Sequence, residues 1–110
     1  MTAAKVHETV FDALGNSVRR EIVRILASGS RPVGEIAAAL PVSRPAVSKH
    51  LQVLERAELV VHVKEGNRNV FRLHRDGFDA ARDWLGGFWD DALARFALVA
   101  ENTTPRGRSS

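Results

Sequence analysis

The chain has 110 residues, 45% of them apolar, with no cysteine and a net charge of +3. This is the size and composition of one globular domain, short enough that dimerisation is a common way to enlarge its core. The cysteine count excludes disulfides, thiolate metal sites and a cysteine nucleophile; no apolar run approaches the roughly 20 residues of a membrane span, and Met1–Val10 lacks a signal-like apolar stretch, so a soluble intracellular protein is expected.

Val6, Val10, Phe11 and Leu14 recur at helical spacing, and Gly15-Asn16 stops that first helix. Asn16 or Ser17 caps a second helix with Val18, Ile22, Ile25 and Leu26 on one face. Ser28–Pro32 reads as a loop. Val33, Ile36 and Leu40 mark a short third helix ending before Pro41. Ser43 is placed to cap a fourth helix, with Pro45 in its first turn and Val47, Leu51 and Leu54 on its apolar side, running to about Ala57.

The period then changes from helical to alternating over Leu59–Lys64 and Val70–His74. Gly66-Asn67 between the two runs predicts a hairpin. Asp76 starts a long last helix, with Asp79 three residues on resembling a capping box. Phe78, Ala81, Leu85, Phe88, Ala92, Phe96 and Val99 form its stripe, and Trp84, Trp89 and Leu93 widen it. Gly86-Gly87 within this helix costs about 1 kcal/mol per glycine in propensity. The domain is expected to span 1–101, with 102–110 as a flexible polar tail.

Charge is unevenly distributed along this order. Met1–Arg75 carries 12 basic and 7 acidic residues, whereas Asp76–Glu101 carries 2 basic and 6 acidic. Thirteen of the 16 basic residues are arginine, whose planar fork suits phosphate and guanine. One part of the molecule is therefore suited to a polyanion and another to avoiding it. Two helices joined by a very short turn, the second opening with polar residues, and a basic hairpin directly after them, read as a winged helix-turn-helix. The predicted class is mainly α, in the order α-α-α-α-β-β-α, dimerising through the first and last helices.

Three stretches resemble one family. Ala13-Leu14-Gly15-Asn16-Ser17-Val18-Arg19-Arg20-Glu21-Ile22 is similar to the opening of ArsR-type repressors. Val33-Gly34-Glu35-Ile36-Ala37 and Ser43-Arg44-Pro45-Ala46-Val47-Ser48-Lys49-His50-Leu51-Gln52-Val53-Leu54 resemble its helix-turn-helix, and Leu59-Val60 with Glu65–Arg68 its wing. The Ser-Lys-His-Leu core with a following leucine is the most specific part. The last helix, with Phe88-Trp89-Asp90 and Phe96, is similar to a metal-free, autorepressor-like branch. The resemblance implies a cytoplasmic, homodimeric repressor that binds palindromic operators in double-stranded DNA, its own promoter among them.

On this reading the DNA-binding residues are Ser43, Arg44, Pro45, Ser48, Lys49, His50 and Gln52 of the fourth helix, with Lys64, Asn67 and Arg68 of the wing, and Arg72 beside them. For His50 a DNA contact, an orienting role for the helix, and a half-buried structural histidine all stay open. Arg19 and Arg20, near a helix N-terminus, are open between phosphate and an intramolecular partner such as Glu21 or Asp12. The expected dimer interface is Val6, Val10, Phe11, Leu85, Phe88, Trp89, Leu93 and Phe96, because the last stripe is too wide for one small core.

No metal, cofactor or catalytic residue is assigned. The family's thiolate site would need cysteine within Glu35–Leu40, and its histidine–carboxylate site is missing because no histidine follows His74; His7 with Glu101 is a poor ligand set. A metal-responsive repressor and a winged-helix module for protein contacts are the alternatives. An enzyme is disfavoured: Ser48 and His50 diverge on a helix, His62 with nearby acids lacks a nucleophile, and no phosphate loop or nucleophile elbow occurs.

Overall fold

The first turns of two helices show how local chemistry starts the fold. Asn16 accepts a hydrogen bond from the Arg19 backbone N–H at 3.0 Å, and Ser43 accepts one from the Ala46 N–H at 3.3 Å. Each fills a donor that the helix itself leaves unpaired. The computed structural model describes residues 3–103, and the side chains of residues 8–100. Its elements are α1 (Ala3–Leu14), α2 (Ser17–Leu26), β1 (Arg31–Pro32), α3 (Val33–Ala38), α4 (Arg44–Arg56), β2 (Val60–Glu65), β3 (Arg68–Leu73) and α5 (Arg75–Thr103). This is a winged helix-turn-helix, mainly helical, with an antiparallel three-stranded sheet in the order β1-β3-β2.

The core gathers one face of every helix and of the β2–β3 hairpin. Val10 and Ala13 of α1, Ile22 and Leu26 of α2, Ile36 of α3, Val47, Leu51 and Leu54 of α4, Leu59, Val60, Phe71 and Ala81 are all buried. Each large aliphatic among them contributes roughly 1.5–3 kcal/mol by leaving water. Strand alternation and register put Val60, Phe71 and Leu73 on the core side of the hairpin, so Val61, Val63 and Val70 share the outer side, where Val63 is exposed. The hairpin closes through Gly66-Asn67, with Glu65 opposite Arg68 and Gly66 at φ +63°. A positive φ at the first turn position matches a primed turn, which keeps the strand twist.

Several expectations need correction. Ser28–Pro32 is not all loop, since Arg31 and Pro32 pair with Phe71 and Val70. A two-residue edge strand has no periodicity to read, and proline is tolerated at an edge. The third helix ends at Ala38 rather than Leu40, so five residues join α3 to α4. Asp79 does not complete a capping box: its carboxylate pairs with Arg75 at 3.2 Å and Arg82 at 3.4 Å, and the helix begins one residue early, at Arg75. Val10, expected at a dimer interface, is fully buried inside the chain's own core. The helix α5 runs to Thr103; residues 104–110, expected as a tail, lie outside the described residues, as does the side chain of Val6.

The helix α5 leaves the domain. Gly77 and Ala81 are buried and Phe78 is half-buried, but nearly every side chain from Arg82 to Ala100 is exposed. Phe11 of α1 meets Trp84 edge-on at 5.5 Å, and Trp84 stacks on Phe88 at 5.5 Å. The chain is consequently 66 Å long, with a radius of gyration of 19.4 Å, against about 13 Å for a compact chain of 100 residues.

The end of α4 and the start of α5 are locked backbone to backbone. Leu59 N–H donates to Leu54 and Glu58 N–H to Glu55, both at 3.0 Å, while Glu58 takes φ +61°. This is a Schellman ending with glutamate where glycine is usual. The Gly77 N–H donates to the Glu58 carbonyl at 2.8 Å. A β-carbon on Gly77 would lie 2.5 Å from the Ala57 oxygen and 2.6 Å from the Glu58 oxygen. Two opposite outcomes are expected in urea or thermal denaturation. Glu58→Gly raises stability by about 1 kcal/mol through relief of the left-handed strain. Gly77→Ala lowers it by about 1–3 kcal/mol despite alanine's better helix propensity. A stabilised Gly77→Ala variant would refute the close approach.

Candidate nucleic-acid interface

The fourth helix is sided as its sequence requires. Val47, Leu51 and Leu54 are buried, and Arg44, Pro45, Lys49 and Gln52 are exposed on the other side. Arg56 is also exposed, four residues beyond Gln52, and extends this row. The sequence reading passed over it, although the spacing was there to see. Ser43 is exposed too, but its hydroxyl is engaged in capping Ala46 N–H. Ser48 and His50 are half-buried, at the edge of the exposed face rather than on it.

The wing stands beside this helix. Arg44 and Gly34 form one wall of a groove, with Asn67 and Arg68 of the hairpin on the other and Pro32, Val33 and Glu35 along it. The Arg44 guanidinium lies over Gly34, where a β-carbon would be in ordinary contact at 3.7 Å. Arg68 and Arg72 also line a neighbouring groove with Glu35 and Glu65. Lys64 is exposed opposite Asn69, on the other side of the hairpin. The structure therefore brings Arg44, Asn67 and Arg68 together and sets Lys64 apart from them.

Hydrogen bonds hold the recognition helix near its C-terminal end and at its middle. His62 Nδ1 on β2 lies 2.7 Å from the Glu55 carboxylate near the end of α4, and its ring packs on Phe71 at 4.9 Å. This ties helix to wing. At the other side His50 Nδ1 lies 3.2 Å from a terminal nitrogen of Arg19. Burial, and then the charge of Arg19, hold the His50 pKa below its ordinary value near 6.5. The two arginines left open by the sequence both bind the last turn of α1: Arg19 donates to the Ala13 and Asp12 carbonyls, and Arg20 to the Leu14 carbonyl at 2.8 Å. Glu21 pairs with Arg24 instead. Among the described residues, no three histidine or acidic side chains cluster as a metal site, and no helix is long and apolar enough to cross a membrane.

The expected interface residues other than Val6 and Val10 are at the surface. Phe11 is partly covered by Trp84, whereas Leu85, Phe88, Trp89, Leu93 and Phe96 are exposed, Phe96 at 71%. Trp84, absent from the expected set, joins them through its stacking on Phe88.

Known proteins share this arrangement. A family model described as a helix-turn-helix domain matches residues 14–63. The HTH-type transcriptional regulator Rv2034 of Mycobacterium tuberculosis is 42% identical over 102 residues, covering 93% of this chain and 95% of that protein. The transcriptional repressor SdpR of Bacillus subtilis is 29% identical over 79 residues, 72% of this chain and 88% of its own. Among solved structures, an ArsR-like transcriptional regulator from Rhodococcus sp. RHA1 superimposes with a TM-score of 0.84 at 27% identity, over 94% of this chain and 97% of its own. With the recognition helix, the wing and these relatives in agreement, the chain belongs to the ArsR-type family of winged helix-turn-helix transcriptional regulators.

Proposed function

We propose that the protein is a homodimeric repressor that lays α4 of each copy into the major groove of a palindromic operator and so blocks polymerase. The carrying observation is the exposed row Arg44, Pro45, Lys49 and Gln52 next to Asn67 and Arg68 of the wing. A helix about 10–12 Å across fits a groove of about 12 Å. Arg44, in the first turn, reaches base edges; Arg68, at the wing tip, reaches phosphate or the minor groove. Lys49, Lys64 and Arg56 add phosphate contacts, and His50 donates at the groove edge. The reading assigns a binding role without catalysis, in the cytoplasm, with repression of its own promoter as one use.

The second copy is supplied by the exposed apolar row of α5. Phe88 at 56%, Trp89 at 59% and Phe96 at 71% exposure are more apolar surface than a monomer ordinarily leaves contiguous. A two-fold pairing of α5 and α1 with their copies covers it and sets two recognition helices about one DNA turn, 34–36 Å, apart.

Sedimentation tests the assembly: the wild-type chain is expected to be dimeric at micromolar concentration, and Phe96→Glu, which would bury an unpaired charge at the interface, monomeric with weaker operator binding. A wild-type monomer would end this account of α5.

Titrations against a duplex selected by the wild-type protein, and against a scrambled duplex, test the division of labour. Arg44→Ala should cost about 1–3 kcal/mol on the selected duplex and much less on the scrambled one. Arg68→Ala should weaken both alike and lower the salt slope by about one unit per half-site. Equal, sequence-independent losses for the two variants would remove Arg44 from base readout.

A further inference from the structure

Arg19 is half-buried in the first turn of α2, an unfavourable place for a cation beside a helix N-terminus. Its partners explain its position. Nε donates to the Ala13 carbonyl at 2.6 Å and one terminal nitrogen to the Asp12 carbonyl at 3.2 Å, both in the last turn of α1, where carbonyls lack helical partners. The other terminal nitrogen lies 3.2 Å from Nδ1 of His50 on α4. Arginine carries donors only, so this bond has one direction: the guanidinium donates and Nδ1 accepts. A neutral imidazole that accepts at Nδ1 holds its proton on Nε2. Among the described residues, Nε2 has no hydrogen-bond partner.

We infer that Arg19 is a positioning residue for DNA binding: it fixes His50 in the Nε2–H form and anchors the ring to the end of α1, so that α4 offers a neutral donor to a phosphate oxygen. This rests on the reading that α4 enters DNA. A charged ring would turn an N–H toward the guanidinium, losing the bond and adding like-charge repulsion. Burial and the Arg19 charge both oppose that charged form. After burial, Arg19 is the charged group that lowers the ring's pKa, and its guanidinium is itself held by the Asp12 and Ala13 carbonyls of α1; Glu35 of α3 and Lys64 and Glu65 of β2 are exposed. The unfolded ring titrates near 6.5 and the folded ring lower. Below 6.5 the unfolded state therefore binds the extra proton first, and stability falls as pH drops toward the folded value.

Nitrogen-15 spectra of the His50 ring and a double-mutant cycle test the assignment together. In the wild-type chain at pH 7.5 the ring should be in the Nε2–H form, and Arg19→Met should mix in the Nδ1–H form and raise the ring's pKa. Arg19→Met should weaken binding to the selected duplex about three- to tenfold, the worth of one hydrogen bond. In a His50→Ala background the same change should cost less than about twofold, whereas a merely structural Arg19 would cost the same in both. Arg19→Lys keeps the charge but has one donor nitrogen in place of the three that hold α1 and His50; if the methionine variant does not fold, the lysine variant carries the same cycle. A wild-type ring protonated at Nδ1, or an additive cycle, would overturn the role of Arg19. A wild-type chain that retains no duplex overturns the DNA reading itself, and a chain that binds but fails the cycle overturns Arg19 alone.

Discussion

The contact of Gly77 with the carbonyls of Ala57 and Glu58 is the constraint on which the rest of the geometry depends. Backbone meets backbone there, with the Gly77 N–H bonded to the Glu58 oxygen at 2.8 Å. Side chains can repack around a volume change, but two main chains at this distance cannot. The end of the recognition helix, the start of β2 and the start of α5 are thereby one rigid corner, reinforced by the His74 N–H on the Leu59 carbonyl at 2.9 Å. On the proposed reading, the angle at this corner sets how far apart two recognition helices stand in a dimer. The strained φ of Glu58 is tolerated because it aims that carbonyl at α5.

Segregation of charge follows from the same layout. The arginine-rich row of α4 and the wing occupy one part of the molecule, whereas α5 carries Asp76, Asp79, Asp83, Asp90, Asp91 and Glu101 against Arg75, Arg82 and Arg95. A helix with an exposed apolar row needs flanking charges for solubility, and acidic ones also keep it off a polyanion. On the proposed reading, the same residues separate two tasks that apolarity alone would confuse: closing on a second chain and closing on DNA.

How much was legible depended on whether a signal was periodic. Val47, Leu51 and Leu54 repeat at helical spacing, Ser43 and Asn16 carry capping oxygens, and Gly66-Asn67 marks a turn, so helices, hairpin and the exposed face of α4 could be placed from residue types. Two residues, Arg31 and Pro32, cannot show a period, and their pairing depends on partners 40 and 38 positions away. Glu58 gave no sign of a left-handed turn because glycine, its usual marker, is absent. Val10 and Phe11 are adjacent apolar residues on one helix. Only packing decides that Val10 enters the core while Phe11 turns to Trp84. His50 was undecidable for a related reason: its hydrogen-bond partner, Arg19, is 31 residues away, and no local pattern links the two.

The helix α1 is where these arrangements meet. On one side Phe11 receives Trp84 of α5; at its end the Asp12, Ala13 and Leu14 carbonyls receive Arg19 and Arg20. Hydrogen bonds to charged donors are worth about 1.5–3 kcal/mol, more than a neutral pair, and three converge on one helical turn. A rigid body displacement of α1 cannot keep all of these and leave His50 where it is, because Arg19 is shared between α1 and α4. On the Arg19 assignment, then, the surface proposed to face a second copy and the surface proposed to face DNA are linked through one guanidinium. On that assignment the connection needs no ligand pocket: hydrogen bonds already in place run from the end of α1, the helix that carries Phe11, through Arg19 to His50 of α4.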